Sequence, residues 1–377
     1  MNHAGGCEAA APMTWGRAPR STGSRPHGPV RVIFQTQRRR ISIYHRQARN
    51  ITGKHYTYIH CAGARTEMSL VAKLKRPGPN GFGYGSTAED VTRGLDLSGK
   101  TILITGCNSG IGQESFRVLA ARGAHIIASA RTVEKAERAA AEVGARDRTT
   151  PVACELSDPG SVEACAEALA RVGRPIDVLM LNAGIMALPK VQTTHGLELQ
   201  FFTNHIGHAL LTDRVMGLLA DEARIVVLSS TAHQRTPKGG IDFDNLDGSR
   251  GYDAWKFYGQ SKLANLLYAR ELARRLEGTG KTVNAVHPGV IKTGLVRHLN
   301  PLAAGLFGAF GPIFLKNVPQ GAATQCYVAA HPEAAEISGA YFADCNPAES
   351  SAHGRDPVLA RRLWDETEGI LDRVAGG

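Results

Sequence analysis

The chain has 377 residues, of which 43% are hydrophobic and 42 are glycine, and its net charge is +10. This length suits one large α/β domain or two ordinary ones. Residues 1–67 hold ten Arg and one Lys against two Glu, so +9 of the charge lies there and residues 68–377 carry +1. A nearly neutral body lacks the basic stripe of nucleic-acid-binding proteins, and we expect no nucleic-acid partner.

The seven cysteines are scattered and include no CxxC pair. An odd number without metal-ligand spacing argues against both a disulfide framework and a zinc site, so we predict no metal. Free cysteines favour a reducing, cytoplasmic compartment. No apolar run reaches 18 residues, and a membrane-spanning helix is therefore not expected.

The N-terminal 67 residues are rich in Arg and poor in acidic residues. We favour a start codon placed too early, with Met68 as the true start. A disordered basic tail and an organelle transit peptide are the alternatives. Residues 68–94 include the run Pro77–Gly85, whose composition is typical of a loop or arm. The globular domain is predicted to occupy residues 95–377.

Short β-rich runs alternate with helical periodicity from Leu95 onward. The predicted strands are Thr101–Thr105, His125–Ala128, Pro151–Cys154, Val178–Leu181, Ile225–Ser229, Thr282–Val286 and Ala340–Phe342. The predicted helices are Ile111–Arg122, Val133–Val143, Ser161–Val172, Leu197–Leu219, Gln260–Leu276 and Pro319–Ala330. Continuous apolar strands between helices are typical of right-handed βαβ crossovers. We predict an α/β fold, namely one doubly wound, mostly parallel seven-stranded sheet with helices on both faces.

A strand, a glycine-rich turn and a helix follow one another at Thr101–Gly112. Gly106 permits a tight exit from the strand, Gly110 lets the backbone approach a pyrophosphate, and Gly112 lets the helix pack on the strand. The free N–H groups and the dipole of the helix favour an anion. The turn therefore favours dinucleotide binding, with a plain turn as the alternative.

The glycine spacing is Gly-x-x-x-Gly-x-Gly, and in this respect the chain resembles the short-chain dehydrogenase/reductase family. Further motifs stand in that family's order: Leu181–Gly184, Phe202–His208, Val227–Ser230, Tyr258-x-x-x-Lys262, and His287-Pro-Gly289 with Thr293. The resemblance covers about residues 95–372. It implies a Rossmann-type fold and hydride transfer with a nicotinamide cofactor.

The resemblance also implies the residues of the cofactor cleft. They are Gly106, Asn108, Ser109, Gly110, Ile111, Gly112, Glu155, Leu156, Asn182, Ala183, Gly184, Tyr258, Lys262, Pro288, Gly289 and Thr293. The family usually has Asp where this chain has Glu155. Arg131 and the small Ser129 at the end of the second strand suit a 2′-phosphate, which favours NADP(H) over NAD(H). A solvated loop charge is the alternative for Arg131.

Tyr258 and Lys262 lie four residues apart near the start of an amphipathic helix and share one face. A tyrosine pKa of about 10 is too high for a base near neutrality, and lowering it by about 3 requires roughly 4 kcal/mol. We expect Lys262 to contribute to that lowering and, by resemblance, to bind the nicotinamide ribose. Ser230 is expected to hold the substrate oxygen. The resemblance implies that Asn204 orders a water beside the lysine.

Two similar features lie close to these residues in the sequence and are not expected to be catalytic. Tyr252 and Lys256 have the same spacing but lie in a predicted loop, and Ser229 precedes Ser230 and is expected to be structural. Three further histidines lack metal-ligand grouping and are expected to pack or form hydrogen bonds: His205, His208 and His287.

The segment Thr231–Trp255 and the run Ser338–Cys345 resemble the retinol dehydrogenase-like branch, which includes the oxidoreductase half of WW-domain oxidoreductases. The apolar run Leu302–Leu315, within a segment 294–318, is expected to be a substrate lid, with a membrane-resting surface or a core helix as alternatives. We predict an NADP(H)-dependent oxidoreductase that interconverts an apolar alcohol and its aldehyde or ketone. A non-catalytic NADP-binding regulator and a C=C reductase similar to protochlorophyllide reductases are the alternatives. Homo-oligomerisation and peripheral membrane contact stay open.

Overall fold

A computed structural model describes the backbone of residues 31–36, 39–49, 55–61, 70–291 and 315–375, and side chains within the last two ranges only. The chain divides into two units, residues 1–66 and 67–377. Most of the predicted lid segment, including Thr293 and the run Leu302–Leu315, lies outside the described residues.

The first unit contains three antiparallel strands where the sequence analysis expected an irregular extension. They are β1 (Arg31–Thr36), β2 (Arg39–Arg49) and β3 (His55–Cys61), paired in the order β1-β2-β3. β-Branched and aromatic residues such as Ile41, Ile43 and Tyr44 favour strand conformation, which is the physical reason for the difference. The start at Met68 stays a prediction.

The second unit is built on one sheet. Its strands are β4 (Thr101–Thr105), β5 (His125–Ala130), β6 (Thr149–Ala153), β7 (Ile176–Leu181), β10 (Leu219–Leu228), β11 (Thr282–His287), β12 (Tyr341–Ala343) and β13 (Asn346–Pro347). Two-residue strands β8 (Thr193–Thr194) and β9 (Leu197–Glu198) form a separate hairpin. The sheet order is β13-β12-β11-β10-β7-β4-β5-β6, parallel except for β13.

The predicted doubly wound sheet is therefore confirmed, with one addition. The two-residue strand β13 follows a tight turn in which Asp344 and Cys345 have φ values of 50° and 63°. It pairs antiparallel with β12 at the edge. A strand this short has no detectable hydrophobic pattern, which explains why seven strands were expected.

The helices within the described residues of this unit are α1 (Leu70–Leu74), α2 (Ala88–Val91), α3 (Gly110–Ala121), α4 (Val133–Glu142), α5 (Pro159–Val172), α6 (Leu199–Phe201), α7 (Gly207–Val215), α8 (Ala254–Arg275), α9 (Val318–Ala330) and α10 (Pro357–Ala375). The helix predicted over Leu197–Leu219 is interrupted by a π-helical turn, Phe202–Ile206. α10 was not predicted. Its apolar residues pack against α8 and share a hydrophobic cluster with Leu263 and Leu267 of that helix.

Helices cover both faces of the sheet, as expected from the apolar strands. All five residues of β4 are buried. Ile102 and Ile104 share a hydrophobic cluster with Phe116 of α3, while Leu103 belongs to the opposite cluster with Leu266 of α8. Successive side chains of a strand point to opposite faces, so this alternation places one helical layer on each side.

The order of the strands locates the cleft. β4 pairs with β5 on one side and with β7 on the other, so the winding direction reverses between β4 and β7. In doubly wound sheets, ligands bind outside the carboxyl ends of the strands at such a reversal. Among the described residues no helix combines the length and apolar character needed to cross a membrane.

Candidate active site

The glycine turn after β4 forms a cradle that side chains would fill. Gly106 and Gly110 have φ values of 67° and 56°, which favour glycine. A Cβ on Gly106 would lie 2.9 Å from Ala183 Cα, and one on Gly112 would lie 2.3 Å from Gly106 O. Gly112 thus lets α3 pack directly on the turn. The N-cap residue Ser109 makes no side-chain hydrogen bond to the first turn of α3.

The turns that follow β4 and β7 are fastened together by Thr105. Its Oγ1 accepts the backbone N–H groups of Asn182 at 2.9 Å and Ala183 at 3.0 Å. Asn182 Nδ2 in return donates to Thr105 O at 2.8 Å. Gln325 of α9 donates through Nε2 to Asn182 Oδ1 at 3.2 Å and to Ser115 Oγ at 2.6 Å. Sequence reasoning missed Gln325, because a glutamine within a helix carries no motif.

Arg131 and Ser129, the residues predicted to favour NADP(H) over NAD(H), differ in solvent exposure. Arg131 is exposed at the end of β5, whereas Ser129 is 1% exposed and lies in the core. Of the two side chains, only that of Arg131 is therefore accessible to a 2′-phosphate. Glu155 Oε1 accepts hydrogen bonds from the N–H and Oγ of Ser157, and Leu156 beside it is buried. The carboxylate of Glu155, which stands where the family usually has Asp, is thus bonded within its own turn.

The other end of the cleft follows β11. Pro288 is buried, and Gly289 has a φ of 92°. A Cβ on Gly289 would lie 2.5 Å from Lys316 Cδ. The Lys316 side chain is fully buried, and its Nζ lies 2.8 Å from Asp344 Oδ1. Sequence reasoning missed this ion pair, because a lysine after an apolar run gives no sign of burial.

Tyr258 and Ser230 meet where α8 crosses the end of β10. Ser230 caps a 3-10 turn at Thr231–Gln234 by accepting the N–H of Ala232 at 3.2 Å, and its side chain lies close enough to the Tyr258 hydroxyl to favour a lower pKa of that tyrosine. α8 approaches this turn closely at Gly259, where a Cβ would lie 2.1 Å from Arg235 O. The glycine within the Tyr-Gly-Gln-Ser-Lys run thus lets the tyrosine reach the serine.

Lys262 is buried one turn along α8 from Tyr258. Its Nζ donates to Leu228 O at 2.9 Å and lies 5.9 Å from the centroid of the Tyr258 ring. Burial lowers the pKa of Lys262 to about 7. Burial raises the pKa of Tyr258 to about 12, although the nearby Ser230 hydroxyl opposes this rise. Desolvation therefore dominates the Tyr258 pKa, and the lysine is directed to a backbone carbonyl; the lowering of this pKa by Lys262 together with a nicotinamide stays a prediction.

Asn204 lies in the π-helical turn, and both polar atoms of its side chain form hydrogen bonds. Its Oδ1 accepts the N–H of Ile185 at 2.8 Å, and its Nδ2 donates to Ile185 O and Ser261 Oγ, both at 2.9 Å. The Asn204 backbone carbonyl accepts a hydrogen bond from His208 Nδ1 at 3.0 Å. Asn204 Oδ1 and Lys262 Nζ both lie within 3.5 Å of the position that a Cβ on Gly184 would take.

Tyr252 and Ser229, which were not expected to be catalytic, form hydrogen bonds with scaffold residues. Tyr252 donates through its hydroxyl to Leu188 O at 2.8 Å and accepts from Gln200 Nε2 at 3.0 Å. Ser229 Oγ donates to the backbone carbonyl of Lys262 at 2.7 Å. Each of these hydroxyls is therefore part of the scaffold around the site.

Comparison with known proteins places this geometry in a family. Residues 100–243 match the family model of the short chain dehydrogenases. The chain is 42% identical over 302 residues to "Short-chain dehydrogenase TIC 32 A, chloroplastic" of Brassica napus, which covers 77% of this chain and 94% of that protein. It is 39% identical over 307 residues to human retinol dehydrogenase 14, covering 75% and 90%.

A solved short chain dehydrogenase from Burkholderia cenocepacia, in complex with NADP, has 25% sequence identity and a TM-score of 0.52 over 65% of this chain and 96% of that one. The glycine cradle and the Ser-Tyr-Lys group stand on the doubly wound sheet that such proteins share. The chain therefore belongs to the short-chain dehydrogenase/reductase family and is an oxidoreductase.

Proposed function

We propose that the protein is an NADP(H)-dependent oxidoreductase that interconverts an apolar alcohol and its aldehyde or ketone. The observation that carries the proposal is the position of Lys262, which is buried one turn along α8 from Tyr258 with its Nζ 5.9 Å from the centroid of the tyrosine ring, while Ser230 lies near the Tyr258 hydroxyl. These groups lie at the end of β10, on the same edge of the sheet as the glycine cradle. Two hydroxyls that converge on one point suit a carbonyl oxygen.

The residues of the cleft fit a dinucleotide. The cradle at Gly106 and Gly112 has no room for side chains, and the start of α3 offers N–H groups to a pyrophosphate. Gly184 is exposed at the cleft and Lys262 lies behind it. When bound, the nicotinamide would accept or supply the hydride. The chain's residues hold and orient the reactants and move the proton.

The protonation states suit carbonyl reduction. A Tyr258 hydroxyl with a pKa of about 12 stays protonated near neutral pH and donates to the carbonyl oxygen. Ser230 donates a hydrogen bond to the same oxygen and so holds it in place. The reverse reaction needs Tyr258 to lose its proton, which a positive charge on Lys262 favours. With a pKa of about 7, Lys262 carries that charge on only part of the molecules at neutral pH.

The preference for NADP(H) rests on Arg131. Its side chain is exposed after β5, where a carboxylate would repel a 2′-phosphate and a guanidinium attracts one. The NADP complex of the Burkholderia relative supports the proposal. The direct measurement is the Kd of NADPH and of NADH, read from nicotinamide fluorescence. Equal affinities would remove the preference.

The proposal of an apolar substrate is supported by the apolar run Leu302–Leu315 and by the similarity to retinol dehydrogenases. A C=C reductase would also use a tyrosine as proton donor, so product identity separates the two. The assay follows NADPH consumption with nonanal and all-trans-retinal, with glyceraldehyde as a polar control. Alcohol products support the proposal. Turnover of glyceraldehyde alone, or reduction of a C=C bond, would refute it.

The matched variants are Tyr258→Phe and Tyr252→Phe, because each removes one tyrosine hydroxyl. We expect Tyr258→Phe to bind NADPH normally and to lose turnover by about 100-fold or more, since it removes the acid. Tyr252→Phe loses only its contacts with Leu188 and Gln200 and should keep turnover. Normal turnover in Tyr258→Phe would point to a non-catalytic role for this residue. A wild type that binds NADPH but reduces no carbonyl would favour the regulatory alternative.

We retain the cytoplasm as the proposed location, with organelle import through residues 1–67 as the alternative. The chloroplast location of the Brassica relative supports the alternative. Fluorescent fusions with and without residues 1–67 separate the two, because import through this extension requires its presence. Sedimentation with liposomes tests peripheral membrane contact, and light scattering tests homo-oligomerisation.

A further inference from the structure

His208 lies at a junction between the cofactor cradle and the catalytic helices. It is 2% exposed on α7, immediately after the π-helical turn. Its Nε2 lies 2.9 Å from Thr105 Oγ1, and its Nδ1 lies 3.0 Å from Asn204 O. One imidazole thus contacts the residue that fastens the two cofactor turns and the carbonyl of the π-helical turn.

The partners decide which nitrogen carries the proton. The Asn204 carbonyl only accepts, so His208 Nδ1 must be the donor. Thr105 Oγ1 already accepts two backbone N–H groups, which leaves its own proton for donation. His208 Nε2 is therefore the acceptor of the Thr105 hydroxyl. Burial, together with the nearby charge of Lys262, lowers the pKa of His208 to about 4, so the ring is neutral near pH 7.

The side chain of Asn204 is committed to Ile185 and Ser261, while its backbone carbonyl accepts from His208 Nδ1. Ser261 Oγ in turn donates to the backbone carbonyl of Tyr258 at 2.8 Å. The imidazole therefore holds one end of a chain of hydrogen bonds that reaches the catalytic tyrosine. π-Helical turns are rare and are frequent at functional sites.

We propose that His208 is a positioning residue with two separable tasks. Through Nδ1–H it holds Asn204 in the π-helical turn and thereby its side chain near Lys262, and through Nε2 it holds Thr105 for the cofactor turns. This inference rests on the proposed function for its first task. Its second task concerns cofactor binding alone.

Two variants separate the tasks. His208→Asn places an amide N–H near the position of Nδ1 and keeps the donor to Asn204 O, but it has no group near Nε2. His208→Gln places an amide oxygen near Nε2 and keeps the acceptor for Thr105, but it leaves Asn204 O without its donor. Steady-state reduction of nonanal gives kcat, and NADPH fluorescence gives the Kd.

We expect His208→Gln to lower kcat about tenfold with little change in the NADPH Kd, because one buried hydrogen bond is lost at the proton path. We expect His208→Asn to raise the Kd about fivefold with little change in kcat. The smaller effect reflects Met180 O, which lies 3.4 Å from Thr105 Oγ1 and offers the hydroxyl a second acceptor. Equal changes in both variants, or altered melting temperatures with unchanged kcat and Kd, would overturn the proposal.

A measurement on the wild-type protein tests the proposed hydrogen bonds of His208 without relying on the folding of a variant. Two-bond ¹H–¹⁵N NMR spectra of histidine-labelled protein should show His208 as the Nδ1–H tautomer from pH 5.5 to pH 8. An Nε2–H tautomer or a charged ring would overturn the proposal. If the wild type reduces no carbonyl, the proposed function fails, whereas the NADPH Kd values and the tautomer still decide the role of His208.

Discussion

Replacement of Lys262 by methionine removes a buried ammonium while keeping most of the side-chain volume. The pKa of Lys262 falls from an ordinary value of 10.5 to about 7 in the folded protein. Between these values the unfolded chain binds more protons than the folded one, so the free energy of unfolding rises with pH. Above pH 10.5 the amine is neutral in both states and has no charge penalty. Below pH 7 the full penalty is present.

The shift gives the size of the effect. A fall from 10.5 to about 7 corresponds to a penalty of at most about 5 kcal/mol. Lys262→Met avoids this penalty, so we expect the variant to be the more stable protein at pH 6. Its advantage should shrink by about 3 kcal/mol between pH 6 and pH 9.5. Loss of the hydrogen bond to Leu228 O lowers the free energy of unfolding of the variant by an amount that does not vary with pH. This loss is reduced because Asn265 Nδ2 also donates a hydrogen bond to that oxygen.

Urea unfolding of both proteins from pH 6 to pH 9.5, followed by tryptophan fluorescence, measures the difference. Titrations of other groups cancel in this comparison. Lys256→Met, an exposed change on the same helix, is the matched control for loss of one positive charge. A difference between wild type and Lys262→Met that does not vary with pH would refute the reasoning. Turnover should be lost in Lys262→Met at every pH.

Two further predictions concern the cofactor cleft. Gly112→Ala should lower the free energy of unfolding by about 2 kcal/mol and abolish NADPH binding, because its Cβ would lie 2.3 Å from Gly106 O and 2.5 Å from Asn182 Nδ2. Urea unfolding and fluorescence titration measure both, with Gly217→Ala as the control, since no atom lies within 4 Å of its Cβ. Arg131→Glu should shift the ratio of the NADPH and NADH Kd values about tenfold towards NADH. An unchanged ratio would mean that Arg131 does not contact the 2′-phosphate.

Much of the fold could be predicted because its signals are local. The strand Thr101–Thr105 was placed correctly at both ends, since an apolar run followed by glycine marks both the strand and its exit. The long helix over Leu197–Leu219 was predicted as continuous, although a π-helical turn interrupts it. α-Helical and π-helical residues have the same composition, and the extra residue per turn depends on packing around Asn204.

The sequence by itself determined which chemistry-bearing residues the protein has and their order along the chain. Gly106, Ser230, Tyr258 and Lys262 stand in motifs that depend on spacing along one chain. Tertiary structure decided what these groups touch. It directed Lys262 to Leu228 O, buried Ser129, and brought His208 between Thr105 and Asn204, which lie 99 residues apart. Desolvation and long-range hydrogen bonds arise only when distant segments pack, so no local pattern encodes them.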